Sequence, residues 1–242
     1  MQGPLSPNEV SELFVPLEQY RSVALAVSGG PDSLALLDLV ARWRHASPAI
    51  GVVTVDHGLR AGSRGEAEMV GRVAARYGLP HTILSWSPSN LKTGVQEHAR
   101  VARYDLMAAH CHEQGHEALV TAHHLDDQAE TFLMRLARGS GLDGLAAIPE
   151  RGAWAGIAVL RPLLGVTKAR LVATVEAAGL AFASDPSNVD ERFERVRIRR
   201  SLSAFARLGL TPEALARSAQ RLRRAREALD GGADAFLARD AA

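Results

Sequence analysis

Short apolar runs alternate with longer segments of helical periodicity along most of this chain. Runs rich in β-branched residues predict buried strands, and the amphipathic segments between them predict helices. The predicted strands are 22–27, 50–56, 82–85, 118–121 and 157–160. The predicted helices are one that starts at Ser6-Pro7, then 34–43, 66–77, 94–114, 125–137 and 168–178, and a last one from Thr211 to about Leu229. This alternation predicts an α/β fold: a parallel sheet with helices on both faces.

Residues that start and stop helices agree with these limits. Ser6-Pro7-Asn8-Glu9 has the pattern of a capping box with proline in the first helical position, and Thr167 is a suitable N-cap. Glycines that follow predicted helices are typical stops: Gly78, Gly115 and Gly179. Residues 138–164 are rich in Gly and Pro, which predicts a long and partly mobile connection apart from the strand at 157–160.

The charge of the chain is unevenly distributed. The formal net charge is +1 over 242 residues, but residues 192–226 contain eleven Arg and two acids, a local charge of +9 that leaves −8 for the rest. Such a segment favours a polyanionic partner, and a solvated surface helix is the alternative. We therefore predict a catalytic domain over residues 1–205 and a basic linker helix with a tail over 206–242.

The cysteine content and the N-terminal residues indicate the cellular compartment of the protein. Cys111 is the one cysteine, so the chain can form no internal disulfide and no cysteine-held iron–sulfur centre. Residues 1–20 lack the basic start and apolar core of a signal peptide, and no apolar run is long enough to span a bilayer. These features predict a cytoplasmic protein with no membrane partner.

The loop Ser28-Gly29-Gly30-Pro31-Asp32-Ser33 joins the first predicted strand to a helix. Successive N–H groups of a glycine-rich turn, with the helix N-terminus behind them, form a cradle for phosphate oxygens. Asp32 suits such a place if Mg²⁺ bridges its carboxylate and the phosphates. The loop lacks the lysine of a Walker A motif and the spacing of a dinucleotide fingerprint.

The segment Ala26-Val27 with this loop resembles the pyrophosphatase loop of N-type ATP pyrophosphatases, the PP-loop superfamily. The resemblance implies an adenine nucleotide alpha hydrolase-like fold, related to the Rossmann fold, with ATP as co-substrate. It also implies that the loop holds the β- and γ-phosphates while the bond between the α- and β-phosphates is broken.

Further segments narrow the resemblance. Residues 55–60 (VDHGLR), 122–131 (AHHLDDQAET), 185–188 (DPSN) and 195–199 (RVRIR) together resemble tRNA(Ile)-lysidine synthases, over roughly residues 23–202. The resemblance implies an enzyme that adenylylates the C2 oxygen of the wobble cytidine of tRNA(Ile) with anticodon CAU. Free L-lysine then displaces AMP through its ε-amine. Many members carry further C-terminal domains, so this chain is expected to be either a short member or part of a longer protein.

Three carboxylates in the helix predicted at 125–137 suit that chemistry. Asp126, Asp127 and Glu130 share one helix face through their spacing of three and four residues. The side chain of free lysine has a pKa of roughly 10.4, so a nearby base, or desolvation, must expose its lone pair before it attacks. Asp127 and Glu130 are the candidate bases, and Asp126 is a candidate for substrate or Mg²⁺. An ordinary acidic first turn is the alternative.

The remaining candidates follow from position and resemblance. Asp56 and His57, after the second strand, are expected to line the nucleotide pocket together with the loop, and Arg103 is expected near the reacting atoms. The substrate- or RNA-binding set is predicted to comprise Asp126, Arg161, Asp185, Arg195, Arg197 and Arg199. Arginines 195, 197 and 199 suit phosphates of tRNA or ATP.

Three other functions compete with this prediction. A tRNA thiolase of the same fold needs iron–sulfur ligands or a sulfur-carrying cysteine, and Cys111 lies within a predicted helix. A small-molecule amidating synthetase would not need the arginine-rich segment. A non-enzymatic nucleotide-binding module would not need Asp32 or the acidic helix.

Overall fold

A computed structural model describes residues 3–44, 48–56, 58, 62–86, 95–183 and 190–240. The contacts divide the chain into two compact units, Met1–His123 with Glu150–Asp185, and His124–Pro149 with Pro186–Ala242. The strands are β1 Ser22–Ala26, β2 Ala49–Asp56, β3 His81–Ser85, β4 Ala118–Val120, β5 Arg151–Trp154 and β6 Ile157–Leu160. The α-helices are α1 Pro7–Phe14, α2 Pro31–Trp43, α3 Ser63–Arg76, α4 Val95–Gln114, α5 Leu125–Ala137, α6 Leu142–Leu145, α7 Lys168–Ala177, α8 Glu194–Ala206 and α9 Pro212–Asp240.

The first unit is built on a six-stranded sheet with the order β3-β2-β1-β4-β6-β5. All neighbouring pairs are parallel except β5 and β6. The five predicted strands and their parallel pairing are confirmed. The chain proceeds from β1 outward to β3 and then returns to β4 on the other side of β1, so β1 and β4 flank the point where the strand order reverses.

Helices cover both faces of this sheet, as predicted. On one face, alternate strand residues such as Val23 and Leu25 pack in a core with α1, α2, α3 and α7. On the other face, Ala24, Val53 and Leu119 pack against Tyr104, Met107 and Cys111 of α4. The opposite orientation of successive strand side chains explains why neighbouring residues of β1 enter different cores.

The ends of several helices follow the predicted signals. The backbone N–H of Ser6 donates to the carboxylate of Glu9 at 2.9 Å, which completes the capping box of α1. Each glycine predicted as a stop has a positive φ: Gly78, Gly115 and Gly179. Helices α2 and α3 begin three residues before their predicted starts, at Pro31 and Ser63.

Residues 138–164, predicted as a long and partly mobile connection with a strand at 157–160, contain two further short elements that were not predicted. This segment contains α6 and the edge strand β5, which pairs with β6 as a hairpin. Ala155 and Gly156, between the two strands, both have positive φ, 45° and 83°. The hairpin escaped prediction because alanine rarely takes that conformation, and because β5 has no run of apolar residues.

The second unit is helical. Its core joins Ala129 and Phe132 of α5 with Leu202 of α8 and with Leu215 and Ala219 of α9. Helix α8 was not predicted, and α9 continues past the predicted end at Leu229. The boundary predicted after residue 205 stays a prediction. Among the described residues, no helix is both long and apolar enough to cross a bilayer.

Candidate active site

Several predicted residues lie at one edge of the sheet in the first unit. Strands β2, β1, β4 and β6 are neighbours and parallel, so the segments that follow them leave the sheet at the same edge. Loop 28–33 follows β1, Asp56 ends β2, His123 follows β4 and Arg161 follows β6. In parallel α/β sheets this edge, where the strand order reverses, is the usual ligand site.

The conformation of loop 28–33 depends on its glycines and serines. Gly29 has φ +88°, and a Cβ there would lie 3.3 Å from Cε of Met69. Gly30 is the N-cap of α2. The Oγ of Ser33 accepts from the backbone N–H of Ser28 at 3.1 Å and donates to the carbonyl of Gly30 at 3.0 Å. A main-chain turn is therefore fixed directly at a helix N-terminus.

Gly30 is loosely surrounded by the described residues. Among their atoms, a Cβ added to Gly30 would come within 4 Å of Oγ of Ser28 alone, at 3.8 Å. Pro31 and Asp32 form the first turn of α2, where the helix dipole favours a negative ligand. The turn thus has the main-chain donors and the helix dipole that favour a phosphate group.

Asp32 pairs with a residue that sequence reasoning missed. Nζ of Lys168 lies 3.1 Å from Oδ2 of Asp32. Lys168 is the first residue of α7, and it is one of two lysines among 28 Lys and Arg residues. A lysine at a helix N-terminus opposes the helix dipole, and this was the available signal. The oxygens of a carboxylate such as that of Asp32 are of the donor type that Mg²⁺ prefers.

Asp56 supports the turn that follows β2. Its Oδ1 accepts from the backbone N–H of Gly58 at 3.1 Å and from Oγ of Ser63 at 2.6 Å. These bonds tie the end of β2 to the start of α3. Its predicted contact with ATP stays a prediction, and His57 and Asp185 lie outside the described residues.

Arg103 and Arg161 belong to a cationic cluster around Tyr104 in the first unit. The guanidinium carbons of Arg100 and Arg103 lie 6.0 Å and 5.8 Å from the centre of the Tyr104 ring. Desolvation, with repulsion from Arg100, lowers the pKa of both Arg103 and Arg161, although Arg103 keeps an exposed surface. Arginine stays charged in proteins regardless. A group of mutually repelling cations favours an anionic ligand.

In the second unit, the start of α5 brings a histidine to the predicted carboxylates. His124 is the N-cap of α5 and is buried. Its backbone N–H donates to Oδ2 of Asp127 at 3.1 Å. Its ring nitrogens lie 3.6 Å from Asp126 and 3.5 Å from Asp127. Asp127 is therefore partly engaged in capping, whereas the side chain of Asp126 keeps 28% of its surface exposed.

Glu130 is held by two of the predicted arginines. Its side chain is fully buried, Nε of Arg199 donates to it at 2.6 Å, and Nε of Arg195 lies 3.2 Å from it. Arg197 instead donates to the carbonyls of Glu191 and Arg192, ahead of α8. The structure therefore brings Glu130, Arg195 and Arg199 together, and it places Arg197 elsewhere.

Helix α9 carries five arginines of the basic segment, at positions 217, 221, 223, 224 and 226. Arg217, Arg221 and Arg224 are exposed and follow the spacing of one helix face. Arg223 points the other way, and its guanidinium donates to the carbonyls of Ala146 and Ile148. The exposed stripe of Arg217, Arg221 and Arg224 is a surface suited to a polyanion.

Cys111 is part of the core on the α4 face of the sheet, as its sequence position suggested. Burial raises the pKa of its thiol to about 11. A thiol that is buried and protonated at neutral pH is a poor sulfur carrier, because the reactive form is the thiolate.

Comparisons with known proteins agree with this geometry. The PP-loop domain family matches residues 5–205. The chain is 49% identical to a tRNA(Ile)-lysidine synthase of Rhodopseudomonas palustris, over 97% of this chain and 69% of the relative. It is 53% identical to one of Methylobacterium nodulans, over 89% and 63%. The fold is similar to that of a U34-tRNA thiolase from Methanococcus maripaludis, with a TM-score of 0.75 at 18% identity, covering 90% of this chain and 77% of that one.

The fold and the loop thus define an ATP-using enzyme of the PP-loop class. Within that class, the chain belongs to the tRNA(Ile)-lysidine synthase family, and it spans about two thirds of the length of its curated relatives.

Proposed function

We propose that this chain joins free L-lysine to C2 of the wobble cytidine of tRNA(Ile) with anticodon CAU. In the first step, O2 of the cytidine attacks the α-phosphorus of ATP and pyrophosphate leaves. In the second step, the ε-nitrogen of lysine attacks C2 and AMP leaves, which gives lysidine. The observation that carries the proposal is the phosphate-binding turn at 28–33 in a chain that matches lysidine synthases over almost its whole length.

The first step requires that the outer phosphates of ATP are held as a leaving group. Backbone N–H groups of the loop, the hydroxyl of Ser28 and the N-terminus of α2 are suited to that task. Asp32 would hold Mg²⁺, which when bound neutralises charge on the phosphates. Arg103 lies in α4, and Arg161 directly follows β6. Both guanidinium groups supply positive charge for the phosphate on which negative charge develops in the transition state.

The second step requires a neutral amine. Asp126 and Asp127 are suited to bind the ammonium group of lysine and to accept its proton, because their side chains are only partly engaged. Glu130 remains in the predicted set, but both of its oxygens face guanidinium groups. We infer that Glu130 acts mainly by fixing Arg195 and Arg199, which leaves proton transfer to the two aspartates.

The arginines of the second unit suit tRNA. Phosphate contacts by arginine give affinity without sequence choice, so the exposed stripe at 217, 221 and 224 is proposed to bind the tRNA backbone. The wobble base itself must leave its stack to reach the reacting atoms, as in other enzymes that modify bases.

One assay tests the function directly. The chain is incubated with ATP, Mg²⁺, labelled lysine and a CAU-anticodon tRNA(Ile), and the RNA is analysed for lysidine. Incorporation of lysine, with AMP and pyrophosphate as products, is expected. Formation of ADP and orthophosphate, or transfer of sulfur to the tRNA, would contradict the proposal. A tRNA whose wobble base is uridine serves as the control and should accept no lysine.

A further inference from the structure

The ion pair between Lys168 and Asp32 joins the N-termini of two helices. Asp32 lies in the first turn of α2, and Lys168 opens α7. The helix dipole stabilises a carboxylate in the first turn, but it opposes an ammonium group there. Lys168 therefore occupies a position at which its charge needs a negative partner. Asp32 provides one at 3.1 Å, and both side chains keep some exposure, 37% for Lys168 and 24% for Asp32.

The choice of lysine is informative because two of the 28 Lys and Arg residues of the chain are lysine and the others are arginine. Two residues further along α7, Arg170 donates to both carboxylate oxygens of Glu9, at 2.6 Å and 2.9 Å. That forked contact ties α7 to α1. An ammonium group is a compact charge on a flexible stem and does not form such a fork. Lys168 can therefore exchange Asp32 for another negative partner more easily than Arg170 can exchange Glu9.

We propose that Lys168 is an exchangeable counter-ion of loop 28–33, which pairs with Asp32 without nucleotide and moves to an outer phosphate oxygen when a divalent cation takes Asp32. The proposal rests on the proposed function, because it assumes that the loop holds the outer phosphates. The exchange predicts that phosphate binding depends on the divalent cation. Without that cation, Asp32 both retains Lys168 and repels the phosphates.

Calorimetry with inorganic pyrophosphate on the full chain, with and without Mg²⁺, tests the exchange. Lys168→Met should weaken binding of pyrophosphate with Mg²⁺ by roughly tenfold or more, the value of one charge-assisted hydrogen bond. Asp32→Asn should release Lys168. Binding without Mg²⁺ should then strengthen by roughly tenfold, and the response to Mg²⁺ should disappear. The double variant should lose the part of this gain that comes from Lys168 and keep the part that comes from lost repulsion, so the two effects are coupled.

Two control variants distinguish loss of the Lys168 interaction from a general effect of removing a charge or of misfolding. Arg64→Gln removes an exposed ion pair with Glu68 on α3 in the same unit and should leave pyrophosphate binding unchanged. Lys168→Gln replaces Lys168→Met if the latter fails to fold, as judged by circular dichroism.

Two results would overturn the exchange. One is Lys168→Met binding pyrophosphate with Mg²⁺ as tightly as the unchanged chain. The other is Asp32→Asn gaining equally with and without Lys168. If a chain gives either result but still incorporates lysine, the exchange is excluded and the proposed function is retained. Pyrophosphate binding that depends on Lys168, in a chain that never incorporates lysine, would contradict the function and not the exchange.

Discussion

The phosphate loop of the first unit and the acidic helix start of the second unit are held in different ways. The loop takes its shape from the positive φ of Gly29 and from local bonds to its own main chain, since the Ser33 hydroxyl accepts from the N–H of Ser28 and donates to the carbonyl of Gly30. Glu130 of α5 is held by side chains of α8, Arg195 and Arg199. The loop should therefore be sensitive to an added Cβ, and α5 should be sensitive to a lost charge.

The largest effect is expected from Gly29→Ala. At φ +88°, an alanine is strained, and its Cβ would lie 3.3 Å from Met69. Misplacement of phosphate donors by about 1 Å costs on the order of 100-fold in rate, so pyrophosphate release should fall by at least that factor. Steady-state release of pyrophosphate with saturating tRNA measures the loss.

Gly65→Ala on α3 is the matched control. Its Cβ would come within 4 Å of no neighbouring atom among the described residues, so activity should persist and stability should hold or rise. An active Gly29→Ala variant would show that the turn is not what positions the phosphates.

The second effect concerns charge on α5. Glu130→Gln leaves two guanidinium groups without their carboxylate. Loss of one partner of a buried pair costs about 3–5 kcal/mol, and the partial exposure of both arginines reduces this to about 2 kcal/mol. Chemical denaturation should show this loss in the second unit.

Asp126→Asn provides the contrast. Its side chain is partly exposed, so stability should change little while the KM for lysine rises about tenfold. If Glu130→Gln leaves stability unchanged and affects only the lysine step, Glu130 is a substrate group rather than a holder of arginines.

The third effect is a difference in tRNA binding between the exposed arginines of α9 and the two arginines of α8 that contact Glu130. Reversing the charges of Arg217, Arg221 and Arg224 should weaken tRNA binding by roughly tenfold or more at low salt and should flatten its salt dependence. Reversal of Arg195 and Arg199 should instead reproduce the instability of Glu130→Gln, because both contact that residue. Filter binding over a series of salt concentrations measures the slopes. Equal slopes for the α9 variant and the unchanged chain would exclude the stripe as a tRNA surface.

The difference between local geometry in the loop and distant side-chain contacts at α5 also explains which features the sequence could predict. The loop, the parallel sheet and α5 depend on local patterns: glycines between a strand and a helix, β-branched runs, and carboxylates three and four residues apart. The contacts of Lys168 with Asp32 and of Arg199 with Glu130 join residues 136 and 69 positions apart. Composition and periodicity carry no information on such pairing. The hairpin of β5 was missed for another reason, since its turn uses an alanine with positive φ.

The smallest effect should appear at the sheet edge opposite the loop. Nδ1 of His116 lies 2.8 Å from Oγ of Ser22, at the start of β1, and His110 is its aromatic neighbour. Desolvation, with repulsion from His110, lowers the pKa of His116 below its usual value of 6.5.

The folded chain therefore binds fewer protons than the unfolded chain as pH falls through that range. The stability contributed by neutral His116 is complete above pH 6.5 and is lost toward the lower folded-state pKa. Melting temperatures between pH 8 and pH 5 should fall by roughly a few degrees more in the unchanged chain than in His116→Asn. The KM for ATP at pH 8 should be the same in both, because His116 lies away from the loop; a changed KM would mean that this edge and the loop are coupled.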